Sequence, residues 1–323
     1  DIPSDHWSQT ALIDWAGGSS RHGQSTAINA LYYGTLIDAA NLTDCLGDSA
    51  TAALWRTRAE LVRDRANVYL YVPSQGRYLS SILGGGAVSP SPHAQAWALA
   101  YGLVPEGESN RVASSLLELL SSDPSTPNVE IYGMFWVLEA LGRAGRIAEA
   151  LTVMDRYYGR LLDLGATTWW EVFHANQLYH QSLAHGWGGA PTWFLTAYVL
   201  GARRLGPGTW QVKPAFWSVS QASGALPLGE DELQVSWQAQ TCEEGTLGVI
   251  SPLGTQGEVV IPFTSDTSVI TLNGSEIWRD GMGLVGYVEK LPDGIHVSSL
   301  GEGTYVFYAH QDCTTLYLPL VLR

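Results

Sequence analysis

Near Gly206-Pro207-Gly208 the hydrophobic period of the chain changes, and this change constrains the fold more than any other feature. Before it, apolar residues recur at helical spacing. After it, short alternating segments are cut by Gly, Pro, Asn and Asp at intervals of about 8–12 residues. The sequence therefore predicts an α+β multidomain protein, with a helical part over 1–205 and an antiparallel β-sandwich over 206–323.

Seven helices are expected, over 24–45, 50–71, 92–103, 110–121, 129–144, 147–162 and 190–204. Ser25 or Thr26 would cap the first. The second has Leu54, Leu61 and Val68 as its apolar positions, with Arg56, Arg63 and Asp64 facing water. Short links such as Arg143-Ala144-Gly145 favour antiparallel helical hairpins. An odd number of helices leaves one without a hairpin partner, so the bundle would expose an apolar face unless further polypeptide covers it. Strands are expected over 210–214, 232–237, 246–250, 258–262, 268–272, 294–300 and 303–309.

Composition narrows the function. Of 323 residues, 17 are Lys or Arg and 31 Asp or Glu, a net charge of −14. A nucleic-acid partner needs clustered cations, so that class is excluded. No apolar run approaches the roughly 20 residues that span a bilayer, so no membrane helix is expected. At 46% hydrophobic residues the chain is too apolar to be disordered.

The first residue is Asp1 and not Met, and two glycosylation sequons start at Asn41 and Asn273, which together favour a processed, secreted protein. Of three cysteines, Cys242 and Cys313 lie in the C-terminal third and are expected to pair. Cys45 would then be a buried thiol, or pair with polypeptide outside the chain.

The segment 165–173, GATTWWEVF, sets Glu171 directly behind Trp169 and Trp170. Indole faces stack on the apolar faces of sugars, and a carboxylate beside them can bond hydroxyls or activate water. A core Trp pair with a solvated Glu fits the same residues. Downstream, 182–191 (SLAHGWGGAP) carries His185 and Trp187 among glycines that let backbone approach a ligand. Trp7, Asp14 and Trp15 form a second acidic-aromatic cluster. Glu130 stands at a helix start, where a carboxylate also complements the helix dipole. Zinc signatures, a Walker A loop and a Gly-x-Ser-x-Gly elbow are all missing from the sequence, so no metal or other cofactor is expected. The triplet Gly84-Gly85-Gly86 lacks a preceding strand pattern and reads as a turn.

Several of these stretches resemble the α-L-rhamnosidases of glycoside hydrolase family 78, in the expected order. They are GQSTAINALYYGTLIDAA (23–40) after Asp14-Trp15, HAQAWALAYGLVPEGE (93–108), ATTWWE (166–171), SLAHGWGGAPTWFL (182–195), TWQVKPAF (209–216) and GALPLGEDELQVSW (224–237). The resemblance implies an (α/α)6 six-hairpin barrel followed by a β-sandwich, and inverting hydrolysis of terminal α-L-rhamnose from plant glycosides or polysaccharides. It implies that Glu171 is the general base and that His185 contacts rhamnose; Trp170, Trp187, Trp7, Trp15, Asp14 and Glu130 are the further candidates for sugar contact, with structural roles fitting the last four as well. The family's general acid belongs to an Asp/Glu-, Arg- and Trp-containing motif that this sequence lacks, and seven helices fall short of twelve. The chain is therefore expected to be the C-terminal part of the barrel plus its sandwich, partnered by a second polypeptide carrying the N-terminal half. Two rival readings remain: a non-catalytic carbohydrate-binding or structural subunit, and a polysaccharide lyase on a similar helical toroid.

Overall fold

The computed structural model of the protein describes residues 13–14, 16, 22–173, 182–216, 218–239, 244–263 and 267–311. Its contacts divide the chain into two compact units, Asp1–Pro191 and Thr192–Arg323.

The first unit is helical. Helices α1 (Thr26–Cys45) and α2 (Ser49–Tyr69) form an antiparallel pair, joined by a short turn whose Asp48 side chain accepts the Thr51 amide at 3.0 Å. Ser25 precedes α1 in extended conformation but gives no side-chain cap. Instead the Thr26 amide and hydroxyl donate to the Ser80 and Leu79 carbonyls at 3.0 and 2.6 Å. The face that α2 buries is Ala52, Ala59 and Ala66, small residues that let two helices approach closely. Leu54, Leu61 and Val68, the expected apolar positions, are 70%, 56% and 71% exposed.

Between α2 and the next helix lie short strands: β1 (Gln24–Ser25), before α1, pairs with β4 (Ser81–Leu83), and β4 with β5 (Gly86–Val88), while β2 (Tyr71–Val72) pairs with β3 (Arg77–Tyr78). Gly84 and Gly85 thus form the turn of a β4–β5 hairpin, so the triplet does follow a strand.

Helix α3 (Pro92–Ala100) is buried along its whole length. Ser91 caps it, accepting the Ala94 amide at 3.3 Å, and Pro92 supplies a first-turn residue that needs no N–H partner. Its Gln95 side chain accepts the Tyr78 amide at 2.7 Å and donates to the Tyr78 carbonyl at 2.8 Å, satisfying a buried stretch of backbone. Helices α4 (Ser109–Leu119) and α5 (Ile131–Arg143) pack on α3. After the Ala144-Gly145 turn, α6 (Ile147–Met154) runs through a wider π-type segment (Asp155–Gly159) into α7 (Arg160–Asp163). Helix α8 (Ala190–Phe194) starts at the end of this unit and continues, within the second, through another π-type segment to Leu200. It stops at Gly201, φ 82°, and not near 204 as its apolar spacing suggests. No described helix is long and apolar enough to cross a membrane.

The second unit is built from β6 (Ala202–Gly206), β7 (Thr209–Val212), β8 (Gln221–Leu228), β9 (Asp231–Gln238), β10 (Glu244–Ser251), β11 (Gln256–Ile261), β12 (Val269–Leu272), β13 (Ser275–Arg279), β14 (Met282–Gly283), β15 (Val288–Leu291), β16 (Gly294–Leu300) and β17 (Gly303–His310). A seven-stranded antiparallel sheet has the order β14-β13-β12-β17-β10-β9-β8. A five-stranded sheet, β15-β16-β11-β7-β6, is antiparallel except where β11 runs parallel to β7. Alternation along β9 buries Leu233, Val235 and Trp237, and residues such as Trp210, Val212, Val259, Ile261, Ile295 and Val297 of the five-stranded sheet are buried too. Trp210 donates to Ser251 Oγ at 3.0 Å, tying β7 to the end of β10.

Cys45 is an exposed free thiol at the end of α1, which corrects the expectation of a buried one. A thiol on the last turn of a helix that borders solvent has nothing to bury it. Cys242 and Cys313 lie outside the described residues.

Candidate active site

Two stretches of irregular backbone, 168–173 and 182–188, lie side by side in the helical unit. The Glu171 amide donates to the Ser182 carbonyl at 2.9 Å and the His185 amide to the Trp169 carbonyl at 2.8 Å, while the Thr168 hydroxyl donates to the Leu183 carbonyl. This short ladder brings Glu171, His185 and Trp187 together. The Ser182 amide donates to Glu171 Oε2 at 3.0 Å, and the Trp187 indole donates to the Glu171 carbonyl at 3.1 Å. His185 Nδ1 lies 4.0 Å from the same carboxylate oxygen, with side-chain exposures of 33% and 25% for the two groups. The carboxylate is thus held by a backbone donor while remaining partly open to solvent.

Aromatic rings back this cluster. The His185 and Trp187 centroids are 4.1 Å apart, Trp187 meets Tyr132 at 5.2 Å, Tyr132 meets Trp136 at 4.9 Å and Trp136 meets Trp97 at 4.7 Å. Trp136 Nε1 donates to the Tyr101 hydroxyl at 3.2 Å. Burial above all, with the neighbouring Tyr101 phenol and Asp14 carboxylate, pushes the Tyr132 phenol above its ordinary pKa. Tyr132, Trp136 and Trp187 are partly exposed and offer ring faces of the kind that pack against sugars, while Trp97 is buried behind them. Tyr132 and Trp136, which the sequence analysis does not single out, adjoin this cluster. The spacing of four between Tyr132 and Trp136 on α5 puts them on one helix face and was the available signal. Trp169 packs edge-on against Tyr158 at 5.1 Å, and Trp170 beside it is half-buried.

Asp14 and Glu130, nominated as sugar contacts, are instead in the interior, at 0% and 1% exposure. Asp14 Oδ2 accepts the Glu130 amide at 2.7 Å and meets His93 Nε2 at 2.8 Å. Glu130 Oε2 accepts the Phe173 amide at 2.7 Å. Both carboxylates are committed to buried donors, which is what permits them to be buried at all. Trp7 and Trp15 lie outside the described residues. The sequon residues Asn41 and Asn273 are exposed, and the Asn273 side chain bonds the Thr304 carbonyl and the Val306 amide at 3.3 and 2.8 Å.

Comparison with solved structures places the fold. An α-L-rhamnosidase from Dictyoglumus thermophilum superposes with a TM-score of 0.69 at 21% identity, over 86% of this chain and 31% of that one. The Streptomyces avermitilis α-L-rhamnosidase, solved with L-rhamnose, gives 0.70 at 20% identity, over 92% and 28%. A GH78 family rhamnosidase of Bacillus sp. GL1 gives 0.65 at 27% identity, over 77% and 27%. The chain therefore spans less than a third of the length of each of these proteins. No curated protein sequence matches it. Residues 2–199 match the model of the bacterial α-L-rhamnosidase six-hairpin glycosidase domain. With that match running over more than half of its length, the chain belongs to the bacterial α-L-rhamnosidase six-hairpin glycosidase family.

Proposed function

We propose that this chain supplies the general base and part of the sugar-binding wall of a secreted, inverting α-L-rhamnosidase that removes terminal α-L-rhamnose from plant glycosides or polysaccharides. The observation that carries the reading is the Glu171 carboxylate, open to solvent, fixed by the Ser182 amide and flanked by His185 and Trp187. Glu171 takes a proton from the attacking water, and His185 bonds a sugar hydroxyl. Trp187 and Trp170 supply ring faces for the sugar.

Inversion needs a second carboxyl group, an acid about 6.5–9.5 Å from the base, with room for water between them. Asp14 and Glu130 are buried and already bonded, so neither suits that task. The acid then comes from further polypeptide, which also completes the barrel: six hairpins need twelve helices, and the exposed Leu54, Leu61 and Val68 give such helices a surface to cover.

The test is hydrolysis of an aryl α-L-rhamnoside by the completed assembly, followed by proton NMR. We expect the β-anomer of rhamnose to form first, and Glu171→Gln to lower turnover at least about a thousandfold, in the range known for loss of a central catalytic group. A first-formed α-anomer would overturn inversion, and full turnover by Glu171→Gln would remove Glu171 as the base. Rhamnose binding without turnover in the complete assembly would instead identify a carbohydrate-binding subunit.

A further inference from the structure

Glu130 occupies the N-cap position of α5 but does not cap it: no bond runs from its side chain to the first turn. Its carboxylate reaches instead across 43 residues of sequence to the Phe173 amide, at 2.7 Å. Its own amide donates to Asp14 Oδ2, the oxygen that also meets buried His93. That oxygen sits at the positive end of α5, where a carboxylate is favoured. Gly133 makes room for it there, since a Cβ at that position would lie 2.7 Å from Asp14 Oδ2. At the same residue, one peptide further on, Arg160 Nη1 donates to the Phe173 carbonyl at 2.8 Å.

Phe173 is two residues beyond Glu171. The segment carrying Glu171 is therefore gripped at one end by the ladder to 182–185 and at the other by Glu130 and Arg160. A carboxylate bonds an N–H about twice as strongly as a neutral acceptor does, so an ionised Glu is a firm anchor for this backbone.

We propose that Glu130 is a positioning residue, aimed by the His93–Asp14 pair, whose bond to the Phe173 amide sets where Glu171 presents its carboxylate. The inference rests on the reading of Glu171 as the base, and a displacement of about 1 Å at such a group can cost on the order of a hundredfold in rate.

The test uses the completed assembly, with kcat and KM for an aryl α-L-rhamnoside and amide hydrogen exchange read at Phe173. For Glu130→Ala we expect kcat to fall about 10–100-fold with KM within about twofold, and Phe173 exchange to accelerate. Glu130→Gln, which keeps an acceptor oxygen, restores most of the rate and the slow exchange. A folded Glu130→Ala variant with wild-type kcat overturns the proposal, as does a Glu130→Gln variant as inactive as Glu171→Gln. If Glu130→Ala does not fold, Glu130→Gln decides: more than about a tenth of the wild-type kcat with slow Phe173 exchange supports positioning, and anything less overturns it. Full turnover by Glu171→Gln is a separate failure, that of the base reading itself.

Discussion

Gly188 shows how closely the residues around Glu171 are fitted. A Cβ there would lie 2.6 Å from Trp169 Cβ and 3.2 Å from Ile131 Cδ1, whereas one at Gly186, two residues earlier, would meet nothing within 4 Å. Gly188→Ala should therefore cost about 1–3 kcal/mol through overpacking, while Gly186→Ala should be close to neutral. Thermal unfolding of the two variants checks this, and equal melting temperatures would contradict it. The sequence suggested glycines that admit a ligand, but Gly188 admits an indole. Site residues were legible to the extent that their chemistry was local. Glu171, His185 and Trp187 fall in two recognisable stretches, and the structure brings those stretches together. Asp14 and Glu130 looked equally functional, because a sequence displays a charge but not the donor 116 or 43 residues away that buries it.

Elements were read well where local signals decided them and poorly where neighbours did. Helices α1 to α5 lie close to their expected spans, whereas β8, written Gln-Ala-Ser-Gly-Ala-Leu-Pro-Leu, has neither the aromatic nor the β-branched residues that mark strands. It forms at the edge of its sheet, where Pro227 is tolerated. Partnering also explains β15, which pairs with the expected strand β16 across a turn that carries Asp293. Partial burial raises the Asp293 pKa, but hydrogen bonds from Lys213 at 2.8 Å and His296 at 2.9 Å outweigh that and hold it at about 2. A carboxyl depressed in the fold stabilises it above its unfolded pKa, and that contribution drains away as pH falls from about 4 towards 2. Asp293 is half exposed, so the effect is screened and stays below about 1 kcal/mol. Urea titration should give Asp293→Asn a lower midpoint than wild type at pH 7, with the gap closing between about pH 4 and pH 2. A gap that does not change with pH would contradict this linkage.

Helix α2 turns alanines inward and presents Leu54, Leu61 and Val68, one every seventh residue, to the outside. The helical period gave the stripe, and only packing could tell which of two heptad rows, alanine or leucine, faces α1. Replacing the three exposed residues with Ser should leave the stability of this chain within about 0.5 kcal/mol per site, yet abolish its association with the polypeptide that completes the barrel. Native mass spectrometry checks the second outcome, and an unweakened complex would show that this face is not the contact. The proposed division puts the base, Glu171, in this chain and the acid in further polypeptide. The most direct test is aryl α-L-rhamnoside hydrolysis by the purified chain, alone and then with the complementary polypeptide added. Turnover should be absent for the chain alone, appear on mixing, and be absent on mixing when Glu171 is Gln; turnover by the chain alone would overturn this division.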